Sequence, residues 1–304
     1  MRRLLAQLRS RIAARRVPPA AAWAVRRIRE LIELIPARGP LRLEAGGMTG
    51  RAGPAAGDAV PLPPRRLRAR AGAPGAREYR EGGARAAGEL AAALAAAGRE
   101  LSGASAILDF GCGAGRVLPH VAALAGHARV SGCDVDAAAI AWAAEHRPGA
   151  DWAVSSFEPP LPYPEGRFDL VYAISVFSHL GRGLQDRWLA EIRRVLAPGG
   201  TALLSVHGPS AFDAFRAGDA RTSWCRPELF RREPLRSGDF VFVPYQRSPW
   251  TNGDLPGVGR EYGLAFHGHD FIRQTWSAQL EVTAIAPRAV TGWQDLVVAV
   301  RPGT

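Results

Sequence analysis

The sequence predicts an α/β fold: a doubly wound, mostly parallel sheet that closes with an antiparallel hairpin, preceded by an N-terminal helical arm. Three observations predict it. Short apolar runs alternate with helical patterns from residue 104 onward, as in a parallel sheet covered on both faces. A glycine-rich turn, Gly111 to Gly115, stands where the first run passes into a helix, and Asp134 ends the second run. The last two runs, Leu280–Ala286 and Asp295–Arg301, are joined by so short a link around Gly292 that they can pair only antiparallel.

Each element has its own reason. Ala106–Phe110 is a continuous apolar run, the pattern of a strand buried on both faces, and a helix follows its turn through about residue 125. Arg129–Cys133 is the second strand, residues 136–146 a helix, Phe168–Ile174 a strand, 184–196 a helix and Thr201–Val206 a strand. A helix around 269–278 leads into the hairpin. Upstream, Leu4, Leu5, Leu8 and Ile12 share one helical face, and Ile28, Leu31, Ile32 and Ile35 another, with Arg around both stripes and Pro18-Pro19 between them. Residues 37–76, rich in Gly, Pro, Ala and Arg, read as an extended linker, and 77–101 as a helix. The organisation is therefore a basic arm and linker over 1–76 and a body over 77–304, with residues 208–266 inserted after the fifth strand. That 59-residue connection is far longer than such links usually are.

Charge follows the same division. The 304-residue chain carries +11, and all 39 of its basic residues are Arg. Without a lysine, Schiff-base and P-loop chemistry are excluded. Residues 1–85 hold 19 Arg against 6 acids, a net +13, whereas the remainder is −2. The near-neutral body argues against a broad nucleic-acid face. The arm fits an anionic surface, leaving open a peripheral membrane contact, an acidic protein partner or packing on a second copy in a homodimer. Cys112, Cys133 and Cys225 form no paired pattern, which fits a reducing compartment, and no signal peptide or membrane span is legible, so a soluble cytoplasmic protein is expected.

The glycine turn reads D-x-G-x-G-x-G, from Asp109 through Gly115, and not the dinucleotide pattern G-x-G-x-x-G. A carboxylate at its head repels a pyrophosphate but holds an amino group, and an acid at the end of the next strand accepts ribose hydroxyls. The ligand so described has a ribose, adenine and an ammonium, and no phosphate.

Ile107 through Gly115 resembles motif I of class I S-adenosylmethionine-dependent methyltransferases. The resemblance continues through Cys133-Asp134-Val135-Asp136, Pro159–Tyr163, Phe168–Tyr172, Ser175–Leu180 and Arg194–Gly200; it is close over 104–207 and looser over 265–301. Val60–Arg68, Tyr79–Gly83, Tyr262, His267 and Gly292–Asp295 are also similar to a bacterial subgroup of methyltransferase type 11/12, whose members often accompany glycan synthesis. The resemblance implies a Rossmann-like, seven-stranded sheet and S-adenosyl-L-methionine as cofactor. It implies that Asp109, Gly111, Cys112, Gly113 and Gly115 hold the methionine part, and that Asp134 and Val135 hold the ribose. Ser155, Ser156 and Phe157 would meet the adenine, although the family usually has Asp or Asn in that turn. Ser175 and Phe177 would floor the site near the sulfonium. Arg116 is either a partner for the methionine carboxylate or a solvated helix residue.

Loss of an acceptor proton favours a base near neutral pKa, so histidines are the candidates. His179, at the end of the fourth-strand motif, is either a base or a loop organiser; His207 ends the fifth strand; His267 is the preferred base or substrate contact. Tyr245, Trp250 and Tyr262, aromatic residues of the insertion, together with His267 are candidates for an acceptor pocket, as against a lid or subunit interface. No His or carboxylate cluster has metal-ligand spacing. The expected activity is O-methylation of a small-molecule or glycan-like acceptor. The alternatives are a peptide or protein methyltransferase docking through the arm, and a nucleic-acid- or membrane-associated scaffold.

Overall fold

A computed structural model describes residues 61–219, 222, 230, 233–245 and 261–303. The two expected arm helices lie outside these residues. The chain divides into two compact units, residues 1–60 with 218–226 and residues 61–217 with 227–304. In the first, the few described residues include Thr222, whose N–H and hydroxyl both donate to Asp219 O at 2.8 Å. All that follows concerns the second.

Its centre is a seven-stranded sheet in the order β3-β2-β1-β4-β5-β9-β8. The strands are β1 (Ala106–Phe110), β2 (Arg129–Asp134), β3 (Ala150–Val154), β4 (Phe168–Ala173), β5 (Leu196–Val206), β8 (Glu281–Val290) and β9 (Gln294–Val300). The first five pair in parallel, and β9 joins β5 and β8 antiparallel. The strand order reverses between β1 and β4, where ligands of such sheets bind beyond the carboxyl ends. A separate two-stranded sheet, β6 (Phe240–Pro244) with β7 (Gly263–His267), comes from the insertion.

Helices cover both faces. The helices are α1 (Arg65–Arg70), α2 (Ala76–Ala96), α3 (Leu118–Ala125), α4 (Ala137–His146), α5 (Arg182–Val195), α6 (Pro209–Ala217) and α7 (His269–Trp276). Leu90 and Leu94 of α2 and Val121 of α3 meet Ile107, Leu203, Leu296 and Val298 on one face of the sheet. Leu184, Trp188 and Ile192 of α5, with Ile272 and Trp276 of α7, meet Leu108, Phe110, Leu204 and Val297 on the other. In α5 the spacing 184, 188, 192, 195 places its apolar side chains on one stripe, which fixes the face it buries. Asp136 caps α4, accepting from Ala138 N and Ala139 N at 3.1 and 3.2 Å. No described helix is long and apolar enough to cross a membrane.

Residues 65–70, read as linker, form α1 instead. Leu67 is buried against Ala114 and Ala139, and the Arg68 guanidinium holds the carbonyls of Pro63 and Pro74. Strand β5 begins at Leu196, five residues before its expected start, because Leu196 pairs with Phe168 across a register shift. Its Pro198-Gly199-Gly200 run hides that extension from an apolar-pattern reading.

Candidate active site

The candidate site lies at the carboxyl ends of β1, β2 and β4, where the strand order reverses. Gly111 and Cys112 donate their N–H groups to Cys133 O at 2.8 and 3.1 Å, so the glycine turn hangs from the end of β2. Two glycines there are required. Gly111 has φ +79°, and a Cβ would stand 2.3 Å from Val176 Cγ2. Gly113 has φ +54°, with nothing within 4 Å of the place a Cβ would take, so its backbone borders open space.

Two carboxylates frame this turn. Asp134 accepts from Gly113 N and Asp136 N, both at 2.8 Å, which locks the turn to the end of β2. Burial raises its pKa, opposed by these donors. Asp109 is buried on β1, and Tyr172 of β4 donates to its Oδ2 at 2.9 Å. Burial pushes Asp109 up to about 7, with the Tyr172 hydrogen bond opposing and Asp134 adding. Arg116 is half-buried beside Gly82 and Gly83, and no hydrogen bond or ion pair engages its guanidinium among the described residues. Burial lowers its pKa; Tyr79, Asp109 and Glu78 act the other way.

The remaining cofactor candidates divide. Val135 is half-buried in the turn after β2 and Ser156 is exposed. Ser155 donates its N–H to Asp134 O at 2.9 Å, while its buried hydroxyl has no partner among the described residues. Cys112 is buried, and burial raises its thiol well above the usual range. Ser175 stands exposed after β4 at φ +59°, unusual for a residue with a Cβ. Its N–H donates to Ser205 Oγ at 2.8 Å, its hydroxyl accepts from Gln294 Nε2 at 2.9 Å, and Ser205 donates to Gln294 Oε1 at 2.6 Å. Phe177 does not floor the site: it is fully buried against Trp276, at 5.3 Å between ring centroids.

The histidines also separate. His267, the preferred base from sequence, is fully buried, and its ring is surrounded by Phe240, Phe271 and Trp276. Its Nε2 donates to Gln185 Oε1 at 3.0 Å, because the Gln185 amide already donates to Phe177 O and Leu180 O. Burial pulls its pKa down to about 3, so this side chain is a neutral core group that does not face the site. His207 is buried too, stacked on Phe266 with no partner for Nδ1 among the described residues, and burial drives its pKa well below the usual range.

His179 differs from both. Its Nδ1 lies 2.9 Å from Gly263 O and 3.0 Å from Tyr245 Oη. A carbonyl only accepts, so Nδ1 carries the proton and Nε2 the lone pair. No hydrogen bond among the described residues reaches Nε2. Burial lowers the His179 pKa, keeping the ring neutral. Tyr245, Tyr262 and His207 surround this ring at 5.7–6.0 Å, and Trp293 stands 6.3 Å beyond His207. Thus Tyr245 and Tyr262 join His179, while His267 does not; Trp250 lies outside the described residues. Tyr172, Ser205 and Gln294 escaped the sequence reading. The one available signal was polarity in strands that are otherwise apolar.

Residues 107–200 match the family model described as a methyltransferase domain. Over 106 residues the chain is 31% identical to trans-aconitate 2-methyltransferase of Paracidovorax citrulli, covering 35% of this chain and 40% of that protein. Over 108 residues it is 37% identical to a protein of Encephalitozoon cuniculi named as a methyltransferase, covering 35% and 47%. The chain thus spans less than half the length of these relatives. A solved structure of an S-adenosylmethionine-bound amino pentose methyltransferase from Micromonospora echinaspora is 20% identical, covering 71% of this chain and 89% of that one, with a TM-score of 0.45. The fold and motif order define a methyltransferase domain on a Rossmann-like sheet. Over that domain, residues 107–200, the chain is similar to proteins named as methyltransferases.

Proposed function

We propose that the protein binds S-adenosylmethionine at the ends of β1, β2 and β4, and methylates a hydroxyl of a small-molecule or glycan-like acceptor with His179 as general base. The residues present fit that cofactor: open space beside Gly113, a buried hydroxyl on Ser155 with no partner among the described residues, and the two carboxylates of Asp109 and Asp134 at the turn. Asp109 would hold the ammonium, Asp134 the ribose, and the unpaired Arg116 guanidinium the carboxylate. When bound, the cofactor supplies an electrophilic methyl group on a sulfonium. The protein's own part is placement of the acceptor and removal of one proton.

His179 carries this reading. With Nδ1–H fixed on Gly263 O, the lone pair is confined to Nε2, and a ring kept neutral by burial is ready to accept a proton. The aromatic rings around it favour a ring-shaped acceptor, a sugar or a phenol, over an extended peptide. The test is incubation of the full chain with labelled cofactor and a panel of sugars, phenols and peptides. Label is expected on a hydroxyl of a sugar or phenol, and lost in His179→Ala. Label confined to peptides, or unchanged in His179→Ala, refutes the reading.

A further inference from the structure

Tyr262 immediately precedes β7, in the segment from which an acceptor pocket was expected. Its backbone is held on two sides. It bridges to Leu180, and its carbonyl accepts from Tyr245 N at 3.2 Å. The carbonyl of the preceding Glu261 accepts from Gly181 N at 2.7 Å. Its ring then spans two elements: tilted on His179 at 5.7 Å, and edge-on to Phe157 at 6.2 Å. Phe157 belongs to the turn after β3, the corner that also holds Asp134 and Ser155.

That corner presents a carboxylate. Asp134 is acceptor-only, and its oxygens already serve two backbone N–H groups. A ribose diol has two hydroxyls, each needing to accept as well as donate. Two hydroxyls at the same corner are open to a ligand: Ser155 Oγ, buried with no partner among the described residues, and Tyr262 Oη, half-buried and reached by no hydrogen bond among the described residues. The Tyr262 side chain is half-buried, so its hydroxyl is open to a ligand that packs against this corner. Burial raises the Tyr262 pKa and the Asp134 charge adds to it, so the hydroxyl keeps its proton and faces a carboxylate field.

We infer that Tyr262 is a cofactor contact, its hydroxyl donating to the ribosyl part of S-adenosylmethionine beside Asp134. Tyr262 thereby supplies part of one wall of the nucleoside site as well as part of the neighbourhood of His179. This rests on the cofactor proposed above and extends it: the same tyrosine touches the nucleoside and the base, so loading of the cofactor orders the acceptor side.

The experiment is calorimetric titration of the full chain with S-adenosylhomocysteine and with 5′-methylthioadenosine, which lacks the amino-acid part. Tyr262→Phe keeps the ring packing and loses one hydrogen bond, so both ligands should weaken by the same factor, about fivefold. Ser155→Ala should also weaken both. Unchanged affinity for both ligands in Tyr262→Phe overturns the inference, and so does weakening of S-adenosylhomocysteine alone, which places the contact at the amino-acid end. Hydrogen exchange on the unmutated chain is an independent check: S-adenosylhomocysteine should slow exchange at Gly263–His267, and no change there overturns it. Failure of the unmutated chain to bind either ligand strikes at the cofactor itself, a result distinct from wild type and Tyr262→Phe binding alike.

Discussion

The Tyr172 hydroxyl donates to Asp109 Oδ2 at 2.9 Å, between two residues that face each other in the parallel register of β1 and β4. Among the described residues it is the one side-chain hydrogen bond to a carboxylate that burial otherwise pushes up to about 7. A cationic ligand group at Asp109 favours the ionised form. Below about pH 7 the empty site is protonated and must release that proton on binding. Affinity for S-adenosylhomocysteine should therefore rise as pH increases from 6 to 8, steepest below 7, approaching tenfold per unit. Tyr172→Phe removes a donor that favours the carboxylate, so its profile should shift to higher pH. Calorimetry across pH checks both; a flat profile contradicts the placement of Asp109.

Ser175 is held at φ +59° by Ser205 and Gln294, both buried. A left-handed conformation costs a residue with a Cβ about 1 kcal/mol, a strain that glycine lacks. Ser175→Gly should keep or raise the melting temperature while lowering methyl transfer, whereas Gln294→Leu should lower both. Thermal melts beside turnover separate them. A Ser175→Gly chain with undiminished turnover would show that the strained serine has no part in the reaction.

His267 is assigned to the core. His267→Ala strands Gln185 Oε1 and leaves a cavity among Phe240, Phe271 and Trp276, so a loss of about 2–4 kcal/mol is expected. Its folded pKa, about 3, lies below that of an unfolded histidine. Unfolded chain therefore binds the extra proton first, and its stabilising contribution is fully present above about pH 6.5 and lost as pH falls toward 3. Denaturant melts of the two proteins across this window test it. An equal stability for His267→Ala and the unmutated chain contradicts the core assignment.

His179 must be neutral to accept a proton, and burial holds its pKa below the ordinary histidine range. At saturating cofactor, turnover should rise with pH through a midpoint below 6.5 and then level off. His179→Gln, which keeps a polar group but cannot act as base, should lose about 10²–10⁴-fold in turnover. A midpoint above 7, or a loss under tenfold, sets His179 aside as base.

How far the sequence carried depended on locality. Ala106–Phe110 and Gly111–Gly115 were legible because an apolar run and its turn are neighbours in sequence, and the structure returns that strand with the same bounds. Helix α1 was not, because what holds it to the body comes from distant segments: Leu67 packs against Ala114 and Ala139, and Arg70 pairs with Asp136. His267 misled for the same reason. A histidine closing a short apolar stretch reads as functional until Gln185, 82 positions away, is seen to accept from its ring. His179 was legible as a candidate, but its tautomer is set by Gly263 O, 84 positions away, which no local pattern contains.

The most direct measurement is calorimetric titration of S-adenosylhomocysteine into the full chain and into Asp109→Ala. Saturable binding at one site per chain is expected, with loss of detectable binding in the variant. No binding to the unmutated chain, or undiminished binding to Asp109→Ala, would contradict the proposed site.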